Sequence, residues 1–339
     1  MNRWVVLFFI LIGLALAGST QLRKGALLLS DKEQKDYKRY LESCAHEQEQ
    51  IRRAQLYDMP EGVDFLDNTQ RILNSAYMAN NPQVKEEMLK TDRRFFVYRY
   101  PSDGLQIAGY ISFVPKAENT KTIFIVRGGN RSFGLPHPGH RNRTMGNHTY
   151  IGTTLRDSIN PGRDEFGGKD VNDVINLVKF IPELRLKVGP QCTLKDQGFY
   201  LIGLSRGGME MMLALARSPW LQSRVKKVIS VVGMLDMHET LKWRPDMVSM
   251  FRTDFRLTPF NQKDWIKKRN PIDHVHKIRK DLPILIIQAG QDSRVNLAQG
   301  KNMLQKLTAL GHKVTYWEHK DKGHAFEGVD STLEAWLDQ

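Results

Sequence analysis

A short apolar run, Phe199 to Ile202, meets a turn built on Gly203, Ser205 and Gly207, and passes at once into a stretch of helical periodicity, Gly208 to Ala216. A strand that feeds directly into a helix belongs to strand–helix alternation, and the rest of the chain repeats the pattern. Strand signals fall at Thr122–Val126, Tyr150–Leu155, Gly198–Ile202, Val225–Val231, Pro283–Gln288 and Lys313–Trp317. Helix signals lie between and after them, at Asp170–Phe180, Gly208–Ala216, Leu297–Leu310 and Ser331–Leu337. Alternation of this kind predicts an α/β fold with a mostly parallel central sheet and helices on both faces. Phe95–Tyr100, the turn Pro101–Gly104 and Leu105–Val114 predict a β-hairpin ahead of it.

The chain has 339 residues, 41 % of them hydrophobic and 26 % charged. That composition excludes a disordered chain, a collagen-like repeat and a small disulfide scaffold. Residues 18–90 read as an N-terminal helical segment, with one helix from Ser30 to Tyr57 and another from Asn68 to Ala79, ahead of a catalytic domain over residues 91–339. Residues 1–17 carry one positive charge at Arg3, an apolar stretch from Trp4 to Leu16 and the small-x-small triplet Ala15–Ala17, the three parts of a secretory signal peptide. The alternative is an uncleaved anchor, but a spanning helix wants about 20 apolar residues. Either way the folded part is expected outside the cytoplasm, periplasmic or secreted. Cys44 and Cys192 then lie in an oxidising compartment, and their sequence leaves open whether they pair.

The net charge is +13. Lys and Arg are scattered, with modest clusters at Arg141–Arg143, Lys226–Lys227 and Lys267–Arg269, and neither zinc-finger spacing nor an RNA-binding aromatic signature accompanies them. No nucleic-acid partner is expected, and a membrane partner only if the N-terminal segment is retained.

Gly-x-Ser-x-Gly alone is a weak signal; its strand-to-helix context sharpens it. A serine on so tight a turn projects its Oγ, flanking glycines remove the Cβ atoms that would clash, and the helix N-terminus favours developing negative charge. Such a serine needs a base, and the base an orienting carboxylate, in the order Ser, Asp or Glu, His, each after a strand. Asp292 follows the strand Pro283–Gln288, and His324 follows the strand Lys313–Trp317, with His319 as competitor. Ser205, Asp292 and His324 are therefore the candidate catalytic residues.

With these motifs the chain resembles the catalytic domain of the prolyl oligopeptidase family of serine peptidases, within the α/β-hydrolase fold. The resemblance runs from about Arg94 to Gln339, through Ser102–Leu105, Arg127–Arg131, Gly162–Gly168 with Asp170 and Asp173, Gly203–Gly208, Val232–Asp236, Gly290–Val295 and Gly323–His324. It implies that Ser205 attacks a carbonyl to form an acyl-enzyme, that His324 takes and returns the proton, and that Asp292 holds the imidazole. It also implies an oxyanion hole made by the backbone N–H of Arg206 and a second donor from the loop at Arg127 and Gly128. The best-known members carry Tyr or His where this chain has Arg127, whose guanidinium could donate or could salt-bridge elsewhere.

Two further features depart from the family. No run of short strands precedes the domain where the large peptidases carry a β-propeller, so residues 18–90 either cap the site or pack on the sheet. The loop from Leu135 to His148 is basic and histidine-rich where a helix would be expected. His137, His140 and His148 lack a carboxylate or cysteine to complete a metal set, so a solvated loop is the expectation. The chain thus reads as an exported serine hydrolase, a peptidase before an esterase, acting on a peptide or ester without cofactor or metal. The alternatives are a carboxylesterase on the same fold and a non-catalytic basic binding protein on a hydrolase scaffold.

Overall fold

The computed structural model describes residues 30–43, 47–131, 133–137, 146–325 and 330–339. The signal segment, Cys44, His140 and the Arg141–Arg143 cluster lie outside them. Among the described residues no helix is long and apolar enough to cross a membrane.

Nine strands form one sheet: β1 (Phe65–Asp67), β2 (Arg94–Ser102), β3 (Leu105–Phe113), β4 (Thr122–Val126), β5 (Thr149–Thr153), β6 (Phe199–Leu204), β7 (Val225–Val231), β8 (Ile284–Ala289) and β9 (Val314–His319). Their order is β1-β2-β3-β5-β4-β6-β7-β8-β9. The first four in that order pair antiparallel, and from β5 onward every pairing is parallel. The β2–β3 hairpin keeps the expected turn, with Ser102 opposite Leu105.

The parallel strands are apolar at nearly every position because both faces of the sheet are covered. In β4, Phe124 and Val126 point into one core and Ile123 and Ile125 into the other, as the two-residue period of a strand requires. Helices α6 (Val171–Val188) and α7 (Arg206–Arg217) pack on the first face. On the second, Trp336 and Leu337 of the C-terminal helix, Asp330–Asp338, pack against Tyr200, Ile229 and Leu285. Each such side chain fully buried against the sheet stabilises the fold by about 1.5–3 kcal/mol.

The N-terminal segment differs from the helical expectation in three respects. Within the expected helix from Ser30 to Tyr57 the described residues form α1 (Asp31–Ser43) and α2 (Glu47–Gln55), helical as expected, but the helix from Asn68 to Ala79 is broken at Asn74–Ser75 into α3 (Thr69–Leu73) and α4 (Ala76–Ala79). Ser75 causes the break: its side chain caps the new helix by accepting from the Met78 N–H. A further helix, α5 (Pro82–Lys90), starts at the proline that ends the pattern, since Pro at the first helical position gives up only an N–H that has no partner there. The third difference is β1, which adds an edge strand to the sheet. The segment packs on the sheet through Leu56, Tyr57, Ile72 and Met78 against Phe95, Val97 and Tyr110.

Beyond β6 the chain makes α8 (Pro219–Gln222), and after β7 a run of helices that periodicity had not marked: α9 (Met237–Trp243), α10 (Pro245–Phe255), α11 (Gln262–Arg269) and α12 (Pro271–His274). Helix α13 (Leu297–Ala309) follows β8 as expected, and the C-terminal helix is α14. Helix α1 lies on α10, where Tyr37 donates to Asp254 Oδ1 at 2.9 Å and Glu33 pairs with Arg252.

Candidate active site

Ser205 sits between β6 and α7 at φ 54°, ψ −122°, a backbone conformation rarely adopted by a residue with a side chain. The sheet holds it there. Its N–H donates to Val231 O at 3.0 Å, and its carbonyl accepts from Gly208 and Met234. Gly203 and Gly207 are obligatory: a Cβ on Gly207 would lie 2.0 Å from Val126 O, and one on Gly203 2.5 Å from Gly207 O.

Two loops bring the partners. Asp292, just past β8, is buried and accepts the N–H groups of Arg294 and Val295 on Oδ1, at 2.7 and 2.9 Å. Its other oxygen, Oδ2, lies 2.8 Å from His324 Nδ1, and His324 Nε2 lies 3.0 Å from Ser205 Oγ. A carboxylate only accepts, so the imidazole proton sits on Nδ1 and Nε2 is free to accept from the serine. The competing His319 ends β9, paired beside Ala289 within the sheet.

Arg206, the first residue of α7, has a backbone N–H with no place in the helical ladder. Its side chain turns inward and is fully buried, donating to both oxygens of Asp164 (2.5 and 2.8 Å), to Asp170, to Glu210 Oε1 at 2.9 Å and to Gly129 O at 3.1 Å. Burial, then the charge of Asp170, holds the Glu210 carboxyl well above the usual range. Burial also opposes the charge on Asp170, but Arg206 and the hydrogen bond from Glu210 outweigh it and leave Asp170 below its ordinary value. Asp170 Oδ1 and Glu210 Oε2 are the oxygens of this group left without partners when both are ionised. A proton on Glu210, donated to Asp170, satisfies both.

Gly128 abuts the serine: a Cβ there would meet Leu204 O and Ser205 Cβ, each at 2.9 Å. The neighbouring Arg127 forms no salt bridge among the described residues. Its Nη2 donates to the carbonyls of Arg131 (2.6 Å) and Phe133 (3.3 Å), while Nε and Nη1 are buried without a partner among the described residues. Burial, and next the charge of Arg206, pulls its pKa down to about 10.

A cleft of about 270 Å³ opens at Ser205 and His324. The N-terminal segment contributes Tyr40 and Arg53 to its wall. Tyr40 donates to Asn130 Oδ1 at 2.6 Å, Arg53 to Leu135 O at 3.0 Å and Tyr57 to Pro136 O at 2.8 Å, so three bonds tie that segment to the loop carrying Gly128.

The described ends of the Leu135–His148 loop correct the expectation of a solvated loop. His137 is buried against Tyr77, with Nε2 3.0 Å from Ser75 Oγ. His148 accepts from the Lys121 N–H on Nδ1 and donates Nε2–H to Glu334 at 2.6 Å, and burial lowers its pKa. Both anchor the loop to helices the sequence did not connect to it. Among the described residues no group of three or more His, Cys, Asp or Glu side chains could hold a metal. Cys192 is buried beside Thr149, and burial pushes its thiol up to about 12.

The prolyl oligopeptidase family model matches residues 149–339, which take in β5 to α14 and all three candidate catalytic residues. The chain belongs to the prolyl oligopeptidase family. This is a family of serine peptidases, and at that level the chain is a serine hydrolase, a peptidase before an esterase. It is 23% identical over 235 residues to the uncharacterized peptidase YtmA of Bacillus subtilis, covering 69% of this chain and 87% of that one. Its fold is similar to the acylaminoacyl peptidase of Pyrococcus horikoshii, with TM-score 0.54 and 19% identity over 68% of this chain and 37% of the other. It is also similar to a puromycin-hydrolyzing peptidase of Mycobacterium tuberculosis, with TM-score 0.56 and 16% identity over 72% and 38%. The chain thus matches little more than a third of each of those two solved chains.

Sequence reasoning missed five contributors. Asp164 and Asp170 stood within a resembling stretch without a role, and Glu210 stood unremarked. The one signal for Glu210 was its spacing, since Arg206 and Glu210 are four apart on one helix. Nothing in the sequence marked Tyr40 and Arg53 as part of the cleft wall.

Proposed function

We propose that this chain hydrolyses peptide bonds through an acyl-enzyme on Ser205. His324 Nε2 takes the serine proton as Oγ attacks the carbonyl, and returns it to the leaving amine. Asp292 keeps the proton of the neutral imidazole on Nδ1 and stabilises the imidazolium that forms. The developing oxyanion would sit between the Arg206 N–H and a donor from the Arg127–Gly128 loop, which lies against the serine. The continuous chain from Ser205 Oγ through His324 to Asp292, opening on a cleft, carries the reading. Water then attacks the acyl carbon with His324 as base. The reading places the enzyme outside the cytoplasm, on the apolar segment Trp4–Leu16 and the triplet Ala15–Ala17 at its end.

Labelling of the full chain by a fluorophosphonate tests it. Modification that maps to Ser205 and vanishes in Ser205→Ala supports an activated nucleophile. A well-folded protein that is not labelled overturns it and favours a non-catalytic binding protein. Comparing kcat/KM on matched amides and esters separates the peptidase from the carboxylesterase.

A further inference from the structure

The described wall of the cleft carries five arginines, at 53, 127, 206, 244 and 294, and neither an aspartate nor a glutamate. Three of them are neutralised from behind. Arg53 pairs with Glu49 at 2.8 Å, Arg206 with Asp164, Asp170 and Glu210, and Arg244 with both oxygens of Asp246 at 2.8 and 2.6 Å. Among the described residues Arg127 has no carboxylate within hydrogen-bonding reach, and Asp164 and Glu210 act on it only at a distance.

Arg294 is the half-exposed member of the set whose guanidinium makes no ion pair among the described residues. Its place is fixed. Its N–H donates to Asp292 Oδ1 at 2.7 Å, its carbonyl accepts from Arg244 at 3.4 Å, and its guanidinium carbon lies 5.1 Å from the centre of the Phe133 ring. Phe133 is in turn held by Arg127 through its carbonyl. A cation carried on the loop whose backbone binds Asp292, facing a cleft and without a counter-ion among the described residues, is built to receive an anion.

The same wall disfavours a free amino terminus. An ammonium taken from water into such a cleft needs a carboxylate or several carbonyls, and its repulsion from Arg294 adds to the desolvation cost.

We propose that the site takes substrates whose acyl part ends in a carboxylate, with Arg294 as the group that pairs with it. The proposal rests on the hydrolase reading above and names the substrate class of that same site.

Three matched fluorophosphonates test it on the full chain, with tails of one length ending in a carboxylate, a carboxamide or an ammonium. In each, Ser205 Oγ bonds to phosphorus, fluoride leaves and the serine proton passes to His324. Each labelling rate is divided by the probe's own rate of hydrolysis. The carboxylate probe is expected to modify Ser205 about tenfold or more faster than the carboxamide, the scale of one charge-assisted hydrogen bond, with the ammonium slowest. Arg294→Met should bring the carboxylate-to-carboxamide ratio close to one, and raising the salt concentration should shrink the ratio in the wild type. Equal rates for the three tails, or a faster ammonium, with Ser205 still labelled, overturn this inference and leave the hydrolase reading standing. Failure of every probe on folded protein overturns both.

Discussion

Arg206 donates through Nη1 to the carbonyl of Gly129 at 3.1 Å, so the residue after the candidate nucleophile holds the loop that faces it. The same guanidinium fills its other donors with Asp164, Asp170 and Glu210, entirely out of water. The backbone of Arg206 and the backbone of the loop must converge on one point to receive a developing oxyanion, and one side chain fixes their separation.

Removing that charge leaves two buried carboxylates, Asp164 and Asp170, with only the backbone N–H groups of Arg131, Phe166 and Gly167 and the Glu210 proton to offset them, and no counter-charge. Arg206→Met keeps much of the volume and is expected to cost about 3–5 kcal/mol, the scale for breaking a buried pair from one side. The check is the urea midpoint at constant m-value. A loss below about 1 kcal/mol would show that water reaches the cluster and replaces the arginine.

Glu210 gives the fold a pH dependence of determined sign. Its carboxyl titrates higher in the folded chain than its ordinary value of 4.5. Folding therefore takes up a proton, the stabilisation is complete below 4.5, and it is lost as pH rises from there towards the folded value. Glu210→Gln mimics the protonated form: its amide oxygen accepts from Arg206 Nε and its NH2 donates to Asp170. Unfolding free energies measured from pH 5 to 8 should show the variant gaining on the wild type as pH rises. Parallel curves would place the proton elsewhere.

The sequence was most legible where local chemistry is strictest. A serine forced to φ 54° needs glycines whose missing Cβ atoms leave room for the Val126 and Gly207 carbonyls, and that need is written within five residues. The strands of the two-sided core were legible for a similar reason, since Ile123 to Val126 are apolar on both faces. What escaped depends on contacts remote in sequence. Tyr40 reaches Asn130 across 90 positions and His148 reaches Glu334 across 186, and neither pairing leaves a periodicity. The helices between β7 and β8 escaped because they pack in short pieces, where Pro245 and Pro271 start new helices and break the longer period.

Asp292 has two tasks that one substitution separates. Its Oδ1 accepts two backbone N–H groups that shape the loop, while Oδ2 accepts from His324. In Asp292→Asn the amide oxygen keeps the loop and the NH2 turns to the imidazole. Nδ1 must then accept, the proton moves to Nε2, and His324 can no longer take one from Ser205. A fall in kcat of about 10⁴ is expected, the scale set by triad aspartates, with the thermal midpoint little changed. A fall below tenfold would mean that His324 does not act as base in this tautomer.

Gly128 offers a test of the oxyanion loop without touching a charged group. A Cβ at 128 would press on Leu204 O and Ser205 Cβ at 2.9 Å, and neither is the free end of a flexible side chain. In Gly128→Ala the loop must therefore retreat from the serine by some tenths of an ångström, carrying the proposed second oxyanion donor with it. The three bonds from Tyr40, Arg53 and Tyr57 resist that movement from behind, so part of the strain falls on Ser205 itself. Misplacement on this scale near the reacting atoms is expected to lower kcat about a hundredfold. KM should change far less, because the cleft wall at Arg294 and Phe133 is untouched. A KM rise that accounts for the whole loss in kcat/KM would assign the loop to ground-state binding, and an unchanged kcat would remove it from the oxyanion site.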